Sequence, residues 1–235
     1  MSQNDNEQLN IEQVEHSEAA EQQETQAVQH QNRKISKFWD ILLWVLIAVL
    51  AVAVLVRAFV FTNVTISGDS MNATYHDGDE VRVVKIGKPQ RGDVVVFYKH
   101  KVDSKFKALF ARGEDVQSGG RYEKLIKRVV AVEGDSIWIE PTEGGFRLVV
   151  KTANDEVLHE DYYVKGDEKL SEASFVLPNT AQGLGRLSEH IGQSNALVID
   201  KDCFFAMGDN RGNSEDSRGE QLGQVPFDRL FGIVI

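Results

Sequence analysis

From Ile41 to Val56 the chain carries sixteen consecutive apolar residues, Ile-Leu-Leu-Trp-Val-Leu-Ile-Ala-Val-Leu-Ala-Val-Ala-Val-Leu-Val. As a helix this run is about 24 Å long. Phe38 and Trp39 before it, and Ala58 to Phe61 after it, extend the apolar stretch past the ~30 Å hydrocarbon thickness of a bilayer. The run is apolar on every face, which suits lipid better than the surface of a soluble domain. A cleavable leader is a poor match. The Ala51-Val52-Ala53 triplet lies inside the run rather than after it, and about forty residues precede it. The pattern predicts one transmembrane helix over 38–61. Arg33, Lys34 and Lys37 come shortly before it while Arg57 stands alone after it, so the N-terminus is expected in the cytoplasm and the remainder outside it.

After the span the pattern changes to short runs rich in Val and Ile: Glu80–Ile86, Asp93–Tyr98, Leu125–Val132, Ser136–Ile139, Phe146–Val150, Phe204–Met207 and Leu230–Ile235. Turn strings such as His76-Asp77-Gly78-Asp79 and Arg91-Gly92-Asp93 separate them. No long amphipathic helix is evident and no repeat is seen. The expectation is a mainly β, mostly antiparallel domain over 62–235, tethered by the helix. Two stretches read as excursions from it, each a cap or a loop: 101–121, and 141–202 with a short helix over Leu187–Ile191.

Charge adds one feature. The formal net charge is −10, and Met1 to Asn32 holds seven acidic residues with no Lys or Arg. With few apolar residues, the segment 1–37 reads as a disordered acidic tail. The rest is close to balance, which argues against nucleic acid as a partner. Cys203 is the only cysteine, so a disulfide framework and a Cys-rich metal site are excluded. A lone Cys before two Phe reads as a small buried apolar residue.

Three segments carry candidate chemistry. Ser67-Gly68-Asp69-Ser70-Met71-Asn72-Ala73-Thr74 follows the span, and taken alone it has the composition of an ordinary turn. Lys127 falls in the middle of an apolar strand pattern, sharing a face with Leu125, Val129 and Ala131 if the strand is regular. Gly208-Asp209-Asn210-Arg211-Gly212-Asn213-Ser214-Glu215-Asp216-Ser217-Arg218 is a dense polar string between apolar segments, and by itself it reads as a hydrophilic loop. A lysine base has a physical requirement. With the ordinary pKa of a solvated lysine, ~10.4, about one side chain in a few thousand is neutral at pH 7. Burial disfavours the ammonium, and reaching a pKa of ~8 takes roughly 3 kcal/mol of differential destabilisation. A neutral amine could then take a serine proton.

In order and together with Arg91-Gly92-Asp93-Val94-Val95 and Lys127–Asp135, these segments resemble the bacterial type I signal peptidases, a Ser-Lys family. The resemblance implies a membrane-bound serine endopeptidase that removes signal peptides after Ala-x-Ala, with Ser70 as nucleophile and Lys127 as general base. Ser214 would orient Lys127, and Asp216 would pair with Arg218 and Arg128. The Ser70 N–H would donate to the oxyanion. Ile66, Met71 and Ile126 would line the pockets for small side chains, unless they are simply core. Signal-peptide-bearing precursors, membrane lipid and a place near the secretion translocon are the implied partners, and no cofactor or metal is expected. Gly68 stands where some family members carry an oxyanion serine, Ala73 where Pro is usual and Tyr75 where Leu is frequent. His76, six residues after Ser70, is the rival base in a conventional Ser-His reading. Self-cleaving repressors with a Ser-Lys pair would need a DNA-binding domain and no span. A catalytically inactive paralogue acting as a secretion or assembly scaffold is the non-enzymatic alternative, and it would typically have lost Ser70 or Lys127.

Overall fold

The computed structural model describes residues 37–57, 60–72, 74–104, 119–160 and 175–235. The acidic tail, Ala73 and the centres of the two excursions lie outside the described residues. The chain divides into two units, Met1–Ala58 and Phe59–Ile235. In the first, Lys37–Arg57 forms helix α1. Its apolar side chains are exposed along its length, among them Leu46, Leu50 and Trp44. The sequence reading carried the helix to residue 61, but Phe61 already belongs to a strand, because the β-branched run Phe-Thr-Asn-Val-Thr alternates out and in.

The second unit holds two antiparallel sheets. Seven strands form the first, in the order β1-β2-β11-β3-β4-β9-β10. These are β1 Phe61–Thr65, β2 Glu80–Val84, β3 Val94–Tyr98, β4 Lys124–Val132, β9 Cys203–Met207, β10 Val225–Pro226 and β11 Leu230–Val234. The second sheet has the order β7-β6-β5-β8, from β5 Ser136–Thr142, β6 Gly145–Lys151, β7 Val157–His159 and β8 Leu197–Val198. Every run expected from the pattern contains a strand. Those missed, β1, β7, β8 and β10, are short or carry few apolar residues.

The excursion 141–202 is thus largely ordered where described. It supplies most of the second sheet, then helix α2 at Ala181–Leu184 and a 3-10 turn at Gly185–Glu189. The expected helix over Leu187–Ile191 begins earlier, because Thr180 caps α2 by accepting from the Gly183 N–H. Ile191 instead bridges to Ile139 of β5.

The sheets are joined by apolar side chains. Val130 and Ala131 of β4 and Phe205 and Met207 of β9 pack with Ile137, Ile139, Leu148, Val150, Leu184 and Leu187. On the opposite face of β4, Leu125, Val129 and Val132 join Val95, Phe97, Phe204 and Val225. A bulge at Val130 produces this split, since β9 pairs with Val129 and then with Ala131. Ala131 therefore does not share the face of Lys127, as regular alternation had suggested.

Where the chain crosses between the sheets, Asp135 is buried. Its carboxylate accepts two hydrogen bonds from Arg91 Nη1, at 2.8 and 2.7 Å, and one from the Val132 N–H at 2.8 Å. Removing it leaves the Val132 N–H without its acceptor and releases the partly exposed Arg91 guanidinium to water. Asp135→Ala is expected to lower unfolding stability by about 2 kcal/mol, as for lost hydrogen bonds to a charged group, read as a shift in urea midpoint at unchanged slope.

Candidate active site

Ser70 sits in a turn that the sequence around it holds from several sides. Ile66 is buried and exchanges backbone hydrogen bonds with Gly78 and Asp79. Gly68 adopts φ +89°, a conformation glycine takes without strain, and its N–H donates to Asp77 Oδ1 at 2.8 Å. With no side chain at this position, the hydroxyl found in some family members is lacking. Met71 then plunges into the core, and the Thr74 and Tyr75 N–H groups donate to its carbonyl. The Ser70 side chain is left partly exposed. Its N–H donates to nothing among the described residues.

Lys127 comes from the middle of β4 and is almost wholly buried, at 2 % exposure. Its Nζ lies 2.7 Å from Ser70 Oγ and donates to the Ile126 carbonyl at 2.7 Å. Burial pulls its pKa down to about 8, outweighing the opposite pull of Asp216, Glu215 and Asp209. One N–H on the Ile126 carbonyl leaves the lone pair of the neutral amine free to accept the Ser70 O–H. His76, the rival base, is solvent-exposed, faces Asp79 at 3.9 Å and does not line the cleft beside Ser70.

The polar string Gly208–Arg218 wraps the back of this pair. Asn210 fastens the Ser70 turn, its N–H donating to the Ser70 carbonyl and its Nδ2 to the Asp69 carbonyl, each at 3.1 Å. Gly208 is required by close approach. A Cβ there would stand 2.2 Å from Ser214 Oγ and 2.4 Å from the Ser70 carbonyl oxygen.

Two expectations about this string need correction. Ser214 Oγ is buried but makes no hydrogen bond to Lys127, whose orientation comes from the Ile126 carbonyl. The Ser214 hydroxyl sits beside the Asp216 carboxylate without reaching ordinary hydrogen-bond geometry. Nor does one carboxylate serve both arginines. Asp216 takes a two-pronged contact from Arg218, at 2.8 and 2.8 Å, and the Gly208 N–H at 3.0 Å. Arg128 forks onto Asp209 instead, at 2.8 and 2.6 Å. Burial by itself would raise the Asp216 carboxyl; Arg218 and the Gly208 N–H hold it below its usual range. Two separate buried pairs are physically preferable, because each charge then has a full set of partners.

Asp209 and Thr74 carry no assigned role in the sequence reading, yet they complete the bolt. Thr74 Oγ1 donates to Asp209 Oδ2 at 2.5 Å and accepts from Arg128 Nη2 at 3.3 Å. The residue after the nucleophile turn is thereby tied to the strand that carries the lysine. The density of polar residues in the string was the available signal for Asp209. Nothing in the sequence singled out Thr74.

Beside Ser70 and Lys127 runs a cleft of about 490 Å³, lined by Val64–Ser67, Val96 and Glu123–Lys127. Of the expected pocket residues, Ile66 and Ile126 line it. Met71 does not: it is fully buried among Ile66, Val81, Val83 and Val94. Tyr75 packs partly against that same cluster. One edge of β4 is open here. β9 pairs with β4 only from Arg128 onward, so Lys124–Lys127 have a strand partner on the β3 side alone among the described residues.

A buried amine of lowered pKa on a serine hydroxyl, beside an open strand edge, is the apparatus of a serine peptidase. The family described as signal peptidase, peptidase S26, matches residues 38–235, and the chain belongs to that family. Signal peptidase I P of Bacillus subtilis subsp. natto is 30% identical over 215 residues, covering 85% of this chain and 96% of its own. Signal peptidase I S of Bacillus subtilis (strain 168) is 28% identical over 197 residues, covering 80% and 83%. A crystal structure of a signal peptidase I from Enterococcus faecalis V583 aligns over 64% of this chain and 99% of that one, at 20% identity and a TM-score of 0.34.

Two outcomes follow from the geometry. Gly208→Ala drives a methyl group into the carbonyl of Ser70 and is expected to lower turnover by roughly a hundredfold, as for a displaced reacting group, with far-ultraviolet circular dichroism unchanged. Lys127→Met is expected to stabilise the fold. The unfolded lysine titrates near 10.5 and the folded one near 8, so the wild type gains stability as pH rises between these values. The variant should therefore exceed it by about 3 kcal/mol at pH 7. Denaturation at pH 7 and pH 10.5 checks this, the gap closing at the higher pH.

Proposed function

We propose that this protein is a membrane-anchored signal peptidase that removes signal peptides after Ala-x-Ala by a Ser70–Lys127 dyad. The observation that carries the reading is the 2.7 Å contact between Ser70 Oγ and a buried Lys127 Nζ of pKa about 8. Family membership supports the same activity.

In this mechanism the precursor lies extended along the open edge of β4, its backbone completing the ladder at Lys124–Lys127. Shallow apolar space near Ile66 and Ile126 admits small side chains before the cut and excludes large ones sterically. Neutral Lys127 takes the Ser70 proton as Oγ attacks the carbonyl carbon. The Ser70 N–H receives the developing oxyanion. The C–N bond then breaks, Lys127 returns the proton to the leaving amine, and an acyl-enzyme remains. Water, deprotonated by the same amine, attacks the ester and releases the signal peptide. Ser214, Asp216 and Arg218 act through the loop that fastens the Ser70 turn, and Arg128 through Asp209.

The anchor is α1, whose 21 residues reach about 31 Å. With the N-terminus cytoplasmic, the β-domain faces the side where precursors emerge. Enzyme and substrate held in one membrane, near the translocon, meet at high effective concentration.

Cleavage of an Ala-x-Ala precursor by the detergent-solubilised protein tests the reading. The wild type should cut after the second Ala, while Ser70→Ala and Lys127→Met lose at least about a thousandfold. Because the base works unprotonated, kcat/KM should rise about tenfold per pH unit below pH 8 and level off above it. A folded Lys127→Met that keeps normal activity removes the dyad from the mechanism. A folded wild type that cuts no precursor favours the scaffold reading.

A further inference from the structure

The cleft that holds Ser70 and Lys127 continues past the apolar space near Ile66 and Ile126. Its β4 wall runs from Lys127 back to Glu123. The register of this stretch is regular, Val96 standing opposite Ile126 and Tyr98 opposite Lys124. Side chains two residues apart on a strand share a face. Lys124 therefore lies on the face of Ile126, the one that also carries Ile66 and Val96. Along this wall it is the next side chain after Ile126, and it lines the cleft.

The charge at this end of the cleft is positive. Lys124 is half-buried, its Nζ 4.5 Å from the centre of the Phe231 ring and 5.7 Å from that of Tyr98. The Lys85 ammonium sits over the same Phe231 ring at 5.4 Å. Burial and the Lys85 charge hold the Lys124 pKa below the ordinary lysine range, and no carboxylate pairs with Lys124 among the described residues. Glu123 also borders the cleft, but alternation puts it on the opposite face. Its buried carboxylate is engaged there, by the Gly119 N–H at 2.8 Å and by Lys99 at 3.6 Å. Aromatic rings are weak partners for an ammonium compared with an anion. A carboxylate brought to this point would meet a cation that lacks one.

Depth and direction say which residue of a bound precursor arrives there. Lys124 lies three residues from Lys127 along β4, or about 10 Å at ~3.3 Å per residue. A chain extended along this wall reaches that depth at its fourth or fifth residue before the cut. Alternation separates the two. The fifth points the same way as the first and third, whose small side chains enter the space near Ile66 and Ile126, while the fourth points away.

We propose, on the basis of the Ser70–Lys127 signal peptidase reading, that Lys124 forms a subsite for the fifth residue before the scissile bond. It selects acidic side chains there and rejects basic ones. Lys85 adds to its field from beside the same ring.

The test uses the full-length detergent-solubilised protein and precursors that share one Ala-x-Ala signal segment. In a first pair the fifth residue before the cut is Glu or Lys; in a second pair the same exchange is made at the fourth. At low salt the wild type should cleave the Glu member of the first pair about three- to tenfold faster in kcat/KM. That is the range for one exposed charge attraction gained and one repulsion avoided. The second pair should be cut at nearly equal rates. Lys124→Gln should bring the first ratio close to one, Lys124→Arg should keep it, and Lys124→Glu should invert it. Equal cleavage of the first pair by the wild type, a ratio unchanged in Lys124→Gln, or an equal preference at the fourth position overturns the subsite. The signal peptidase reading then still stands, provided the wild type cuts after the second Ala and Ser70→Ala does not. If the wild type cuts no precursor of either pair, that reading fails and the subsite fails with it.

Discussion

The Lys127 amine lies out of water, 2.7 Å from Ser70 Oγ. Its desolvation is what draws its pKa down to about 8, towards neutrality. An exposed lysine would be almost entirely ammonium at pH 7, with no lone pair to offer. Around this one contact the other features of the site make sense: the apolar packing of β4, the carbonyl of Ile126 as an acceptor, and a nucleophile turn that cannot drift away. The burial that activates the amine also destabilises the fold while the amine is charged, so the site is a strained point in an otherwise apolar strand.

Position is then maintained by charge pairs that touch neither Ser70 nor Lys127. Arg128, next to Lys127 in sequence, points away from it and ties β4 to Asp209, to Thr74 and to the Gly92 carbonyl. Arg218 joins Asp216 to the Gly183 and Arg211 carbonyls, which links the loop to α2 of the cap segment. Arg211 donates to the Gly208 carbonyl and pairs with Glu160 just beyond the second sheet. The polar string is therefore an internal brace, with Asp209, Arg211, Asp216, Ser217 and Arg218 all buried. Buried charges of this kind persist only when each finds a complete set of partners, and here each pairs locally with one opposite charge.

How much of this was legible beforehand varies with the range of the interaction. The long apolar helix was plain, because an uninterrupted apolar run leaves a local trace in the sequence. Seven of the strands were plain, because alternating or continuous Val and Ile leave a local trace. Ser70 and Lys127 were named from their motifs, and the lowered pKa of the lysine from the need for a neutral amine. The misses involve contacts between distant segments. Met71 was assigned to a pocket and belongs to the core. Asp216 was assigned two arginines and has one. Ser214 was assigned the lysine and lies beside Asp216.

The sequence by itself determined the element types, the long apolar helix and the family to which the chain belongs. Each of these depends on side-chain chemistry or on periodicity over a few residues. Only the tertiary structure decided which carboxylate meets which arginine, and that the bulge at Val130 parts Ala131 from the face of Lys127. It also decided that the backbone carbonyl of Ile126 accepts from the Lys127 amine. A carbonyl oxygen is the same in every residue, and an Asp accepts from any Arg that reaches it. Partners of that kind are chosen by the path of the chain through space, which no local pattern records.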